Sequence, residues 1–326
     1  MPESPTSNSV QVMATDLQVP WSVVFHGQTA LISERDSAKI LELSGDGTVR
    51  EVGIIPSVAA AGEAGLLGLA IRGDDLYVYS TGESDNRIQR YPLTGDAGSF
   101  GLGEPETVLD GLPKANWHSG GRIAFGPDGM LYATVGDTYR SDSAQDLDIL
   151  SGKILRIMPN GQVPVDNPFE NSYVYSYGHR NPQGLAWDDQ GTLYSAEFGD
   201  DAWDELNVIE AGGNYGWPEA EGASNNEEYI DPVQQWAPSE ASPSGIAVHG
   251  ESIWIANLRG ERLREVPLDS LGSSTEHLVS EFGRLRAVAP APDGSLWILT
   301  NNTDGNGQPA PQDDQILSFK DSSSNN

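Results

Sequence analysis

His118 stands in the run Asn116-Trp117-His118-Ser119-Gly120-Gly121-Arg122, and Arg180 in Gly178-His179-Arg180-Asn181-Pro182-Gln183-Gly184. Asp137 follows in Val135-Gly136-Asp137, and Gly199 in Glu197-Phe198-Gly199-Asp200. Near the end of the chain come Arg284 and Arg286, in Gly283-Arg284-Leu285-Arg286, and near its start Glu63, in Gly62-Glu63-Ala64-Gly65. A histidine with a carboxylate is a base with a partner to orient it, and arginines hold an anion. Brought to one place, these side chains would move a proton beside a bound anionic group. The remaining histidines invite plainer readings: His26, His249 and His277 as packed or solvated side chains, and His179 as support for its neighbour. Asp142, Asp146 and Asp148 read as a polar loop, and the stretch from Glu219 to Glu228 equally well as a cation site or a solvated loop.

The elements that position these residues come from a repeat. An apolar strand, a Gly/Asp turn and a second apolar strand recur six times. The copies are Val23-Val24-Phe25 with Ala30-Leu31-Ile32, Leu69-Ala70-Ile71 with Leu76-Tyr77-Val78, and Ile123-Ala124-Phe125 with Leu131-Tyr132-Ala133. They continue as Leu185-Ala186-Trp187 with Leu193-Tyr194-Ser195, Ile246-Ala247-Val248 with Ile253-Trp254-Ile255, and Ala287-Val288-Ala289 with Leu296-Trp297-Ile298. A third alternating segment follows each copy, as in Lys39-Ile40-Leu41-Glu42-Leu43 and Gln315-Ile316-Leu317-Ser318-Phe319. Alternation of apolar and polar residues marks strands with one buried face. Six such units predict an all-β, six-bladed β-propeller, since a sandwich would not repeat six times and a β-helix has a shorter period.

Propeller loops converge on a channel mouth, and there the copies stop resembling one another. His118 and Arg180 both lie six residues before the middle residues of their first strands, Ala124 and Ala186. Asp137 and Gly199 share a register after the second strands. Equivalent positions point to one axis, so these residues are expected to face one cavity. Arg284 and Arg286, two apart on a strand, are expected on one face, toward the channel.

The bulk composition limits the partners. The chain has 326 residues, 37% of them hydrophobic, with 37 Gly and 21 Pro, enough for a core of short strands and turns. A formal net charge of -30 argues against nucleic acid, whose phosphates attract Lys and Arg. With no cysteine there is neither a disulfide nor a thiolate metal site. No run is long and apolar enough for a membrane span. Residues 10–320 are expected to form one domain, between a flexible segment 1–9 that looks like the trimmed start of a mature protein and a flexible Ser/Asn-rich tail 321–326. A monomer is expected.

The segments from His118 to Gly129 (His-Ser-Gly-Gly-Arg-Ile-Ala-Phe-Gly-Pro-Asp-Gly), from Gly178 to Trp187, and Gly212-Gly213-Asn214-Tyr215-Gly216-Trp217-Pro218 resemble the soluble quinoprotein glucose dehydrogenases. The chain is still more similar to the related PQQ-dependent aldose sugar dehydrogenases, from about Leu17 to Phe319. The resemblance implies a propeller with pyrroloquinoline quinone (PQQ) over its channel and Ca2+ bound to it. It implies His118 as general base, Asp137 as its orienting carboxylate, and Arg180 and Asn181 beside the quinone carbonyls. Arg259, Arg284 and Arg286 would meet the cofactor's carboxylates, and Glu63 stands where the glucose enzymes carry Gln. The carbonyls of Gly199 and Asp200 would hold the PQQ calcium, although the family often has Pro at the second position. Glu205 and the Tyr215 carbonyl would hold a second, structural calcium. The reaction implied is oxidation of an aldose at C1 to the aldonolactone, with an external electron acceptor and an extracytoplasmic setting.

The chemistry agrees with the residue types. Three cofactor carboxylates inside a protein of charge -30 need local cations, and Arg supplies a fork suited to carboxylate. Two rival readings remain: a Ca2+-dependent lactonase-type hydrolase, which needs carboxylate and amide ligands on the axis, and a non-catalytic binding propeller, which predicts loss of the base or of the Arg cluster.

Overall fold

Alternation sends every second side chain of a strand into the space between neighbouring sheets, and the six hairpins accordingly pair as the pattern demands. Val24 pairs with Leu31, Ala70 with Tyr77, Ala124 with Tyr132, Ala186 with Tyr194, Ala247 with Trp254 and Val288 with Ile298. The computed structural model describes residues 9–44 and 47–321, and the greater part of each expected tail, 1–8 and 322–326, lies outside them.

Among the described residues there are six antiparallel sheets, five of four strands and one of five. In five blades the strands run outward in chain order, as in Asn181–Trp187, Leu193–Phe198, Asp204–Ile209 and Gln234–Trp236. The first strands of neighbouring blades contact one another in sequence, and the last, Leu285–Pro290, returns to the first, Pro20–His26. The ring is therefore closed, a six-bladed β-propeller with the first strands lining a central channel.

The sixth blade is completed from the other end of the chain. Ser9–Ala14 pairs antiparallel with Ile316–Lys320, so the strand begins one residue inside the expected tail. This pairing joins the two ends of the chain in one sheet, with Ser9–Ala14 as its outermost strand. The apolar clusters lie between blades. One joins Tyr77, Tyr79 and Ile88 of the second blade to Leu131, Leu155 and Val174 of the third; another joins Trp254 and Leu263 of the fifth to Ile298 and Phe319 of the sixth. Turn glycines Gly129, Gly191 and Gly294 adopt the positive φ that the Asp-Gly and Gln-Gly turns required. Among the described residues no helix is long and apolar enough to cross a membrane.

Candidate active site

The loops that precede the first strands and those that follow the second strands meet at one mouth of the channel. Asp137 is the hub of that meeting. Its Oδ1 accepts from His118 Nδ1 at 2.7 Å and from the Tyr139 N–H at 3.0 Å, and its Oδ2 accepts from Trp217 Nε1 at 2.9 Å. Its own N–H donates to the Arg180 carbonyl at 2.7 Å, tying the third blade to the fourth. Burial of Asp137 alone would push its pKa up, but the His118, Trp217 and Tyr139 donors outweigh that and hold it below the ordinary carboxylate range. An ionised carboxylate only accepts, so His118 donates through Nδ1 and keeps the lone pair of Nε2.

The backbone is strained at this point. His118, Thr138 and Tyr139 all have positive φ, at 53°, 53° and 59°. The Tyr139 ring stacks on the His118 imidazole with centroids 4.2 Å apart. The His118 N–H donates to Glu63 Oε2 at 2.9 Å, so a carboxylate from the second blade sets the start of the loop. Gly136 makes the approach possible: a Cβ there would lie 2.0 Å from the His118 carbonyl oxygen. Gly136→Ala is expected to destabilise the fold by about 2 kcal/mol through this overpacking, read as a lowered midpoint in urea unfolding.

Arg180 is fastened to the connection after its neighbouring strand. Its Nη1 donates to the Gly199 carbonyl and its Nη2 to Asp200 Oδ1 at 2.6 Å, while Nε is buried without a hydrogen-bond partner. The Arg180 N–H meets Glu197 Oε2, and His179 Nδ1 meets Glu197 Oε1, each at 2.9 Å; His179 thus supports Arg180 through a shared carboxylate. The Asn181 amide is fully buried. Its Oδ1 accepts from the Gly120 N–H and its Nδ2 donates to Glu63, so it braces the His118 loop from beneath.

A cavity of about 410 Å3 opens between these loops and the sixth blade, lined by Glu63, Trp117, Arg35, Arg259, Arg284 and Arg286 among others. Arg284 and Arg286 both turn toward it and share Asp304, with Nη2 to Oδ2 distances of 2.8 and 3.7 Å. Arg259 is exposed, with no ion pair or hydrogen bond to another of the described residues. Four guanidiniums with only Glu63 and Asp304 among the lining carboxylates leave net positive charge here. That fits a ligand carrying several carboxylates.

Gly199 and Asp200 form a turn clamped from two sides. The Gly199 N–H meets Asp204 Oδ1 at 2.9 Å, and the N–H groups of Asp200, Ala202 and Trp203 converge on Glu221 Oε1. From the ambiguous acidic stretch, Glu221 turns inward to do this, while Glu219, Glu227 and Glu228 are exposed. Glu197, Glu205, Glu221, Gly178 and Tyr215 surround a void of about 10 Å3, the size of one small ion or water. Burial, with Glu197 adding to it, pushes the Glu205 carboxyl well above the ordinary carboxylate range. No three acidic or histidine side chains among the described residues converge closely enough to hold a metal alone. A cation here would take carbonyl oxygens as well, which fits the pairing of Glu205 with the Tyr215 carbonyl.

The site thus gathers the expected His118, Asp137, Arg180, Glu63, Arg284 and Arg286, with Arg259 at its rim. Sequence reading gave no role to Trp217, Tyr139, Glu197 or Arg35. Trp217 lay inside a quoted motif, and Arg35 lies in the connection of the first blade that corresponds to the one carrying Asp137, though not at its register.

The chain is 33% identical over 260 residues to quinoprotein glucose dehydrogenase B of Acinetobacter calcoaceticus, a match covering 67% of this chain and 54% of that protein. It is 29% identical over 351 aligned positions to the aldose sugar dehydrogenase YliI of Escherichia coli, covering 93% and 92%. Its fold superposes with a TM-score of 0.91 on the PQQ-bound aldose sugar dehydrogenase of Streptomyces coelicolor, at 47% identity and covering 97% of this chain and 99% of that one. The profile of the Glucose / Sorbosone dehydrogenase family matches residues 17–308, and the chain belongs to that family.

Proposed function

We propose that this protein is a PQQ- and Ca2+-dependent aldose dehydrogenase that oxidises the sugar at C1 to the aldonolactone. One observation carries the reading: a histidine whose Nδ1 is held by a buried carboxylate adjoins Trp117 and Glu63, which line a cavity together with four guanidiniums.

When bound, PQQ supplies a two-electron acceptor for hydride from the sugar, chemistry that no amino-acid side chain offers. The chain's own part is proton transfer and binding. His118 Nε2 takes the proton of the anomeric hydroxyl as C1 gives up hydride, so the hydroxyl oxygen becomes the lactone carbonyl. Asp137 fixes the tautomer before the step and stabilises the imidazolium after it. Arg259, Arg284 and Arg286 would hold the cofactor carboxylates, and Arg180 would hydrogen-bond to it. The Gly199 and Asp200 carbonyls are the proposed ligands of the cofactor's calcium, which would act there as a Lewis acid, and Glu205 with the Tyr215 carbonyl those of a structural calcium. Trp117 and Tyr139, exposed beside His118, offer faces on which a sugar ring can lie.

The lactonase reading asks for carboxylate and amide ligands on the axis. The axis instead carries the buried guanidiniums of Arg122 and Arg286 beside Gln183 and Ser244. The binding-module reading asks for a missing base or a missing Arg cluster, and both are present.

The test is reduction of an artificial dye by aldoses after the purified chain is loaded with PQQ and Ca2+. Sugar-dependent reduction that is lost with EDTA and regained with Ca2+ is the expected result. No reduction across a panel of aldoses would refute the dehydrogenase reading, and activity without PQQ would refute the cofactor.

A further inference from the structure

The end of the channel away from the His118 mouth holds a second cavity, of about 390 Å3. First strands of all six blades wall it, with Val24, Ile71, Phe125, Trp187, Val248 and Ala289 among the lining residues. Its inner end is polar. Arg122 and Ser22 line it there, each preceding the apolar residues of its own strand and therefore lying nearer the other mouth.

Arg122 carries its charge where charge is poorly solvated. It is 9% exposed, with its Cζ 4.1 Å from the centre of the Trp21 ring. Nε donates to the Gln183 carbonyl at 2.8 Å and Nη1 to Ser22 Oγ at 3.3 Å, but Nη2 is buried with no hydrogen-bond partner. Burial, and then repulsion from Arg286, push its pKa down to about 9, so the guanidinium is still protonated at neutral pH. No carboxylate offsets these effects.

Arg286 differs in this respect. It lines the first cavity, lies 3.7 Å from the Asp304 carboxylate, and donates to Gln183 Oε1 at 2.8 Å. Gln183 therefore stands between the two guanidiniums, its carbonyl taken by Arg122 and its amide oxygen by Arg286. The pair divides the channel: one guanidinium is matched by a carboxylate on the side of the first mouth, the other lines the apolar cavity with no carboxylate to match it. Buried charges in proteins are ordinarily paired, because an unpaired one loses its hydration for no return.

We propose that this second cavity binds a small monocarboxylate with an apolar tail, its carboxylate on Arg122 and its tail along the first-strand walls. A bare inorganic anion would answer the charge but leave the aliphatic and aromatic wall unused, whereas the carboxylate end and the tail together match both features of the cavity. This site is separate from the redox reading and does not rest on it.

Calorimetric titration of the full chain with octanoate, octan-1-ol and chloride tests the proposal, with PQQ and Ca2+ present and absent. Octanoate is expected to bind one to one, and octan-1-ol about tenfold more weakly or worse, since a charged hydrogen bond is lost. Arg122→Met should weaken octanoate by a similar factor. Ala289→Trp fills a half-buried wall position far from the first mouth and should abolish binding; it keeps the test decisive if the Arg122 variant fails to fold. Absence of octanoate binding, equal binding of octan-1-ol, or unchanged affinity in Ala289→Trp overturns the proposal. So does displacement of octanoate by PQQ, which would place the carboxylate at the Arg284 mouth, or by an equal concentration of chloride.

Discussion

His118→Ala is expected to lower kcat by about 10²- to 10⁴-fold, the range a positioned general base contributes, while PQQ affinity changes by less than about threefold. The geometry separates the two effects. The His118 imidazole is hydrogen-bonded to Asp137 and stacked on Tyr139, and that carboxylate keeps the Trp217 indole and the Tyr139 N–H as donors after the imidazole is removed. The loop also stays anchored, because Glu63 holds the backbone N–H of residue 118 and not its side chain. Stopped-flow dye reduction at saturating sugar gives kcat, and titration of the chain with PQQ gives affinity. Turnover surviving within about tenfold would remove His118 from the role of base.

Arg284→Ala is expected to act in the opposite way, raising the Kd for PQQ by about 10- to 100-fold through loss of charge-assisted hydrogen bonds. At saturating PQQ, kcat should change by less than about threefold. Arg284 supplies Nε and Nη2 to Asp304 at 3.1 and 2.8 Å, whereas Arg286 stands farther off at 3.7 Å. Removing Arg284 therefore deletes one cation and also leaves the Asp304 carboxylate less covered beside a polyanionic ligand. A fall in kcat at saturating PQQ equal to the change in Kd would mean that Arg284 acts in the reaction itself.

Much of the fold was legible because strand alternation is a local property. The residues that set each hairpin register, such as Ala124 opposite Tyr132, stand within a few positions of one another, with a turn residue between them. The outermost strands were not legible. Gln234–Trp236 and Thr275–His277 have three residues each and little apolar content, since the outer edge of a blade faces water. The closing strand Ser9–Ala14 was invisible for another reason: its partner Ile316–Lys320 lies at the opposite end of the chain.

The same distinction divides the site. His118, Asp137 and Arg180 could be picked out because they break a repeat at matching registers, and the repeat itself says where such positions point. Arg284 and Arg286 could be placed on one face by strand geometry. That Glu63 and Asn181 also hold the His118 loop could not be read from the sequence, because their partners lie on other blades. Trp217, 80 residues from Asp137, reaches its carboxylate only because an irregular loop of the fourth blade folds back across the third.

By itself, then, the order of residues determined the six blades, the channel they surround and the registers at which chemistry is concentrated, because alternation and turn residues act over a few positions. Tertiary structure decided which of those residues touch the cavity, which ones brace them, and that Arg122 is left without a counter-charge. Burial and hydrogen-bond partnership are set where loops of different blades pack together, and no local pattern records that meeting.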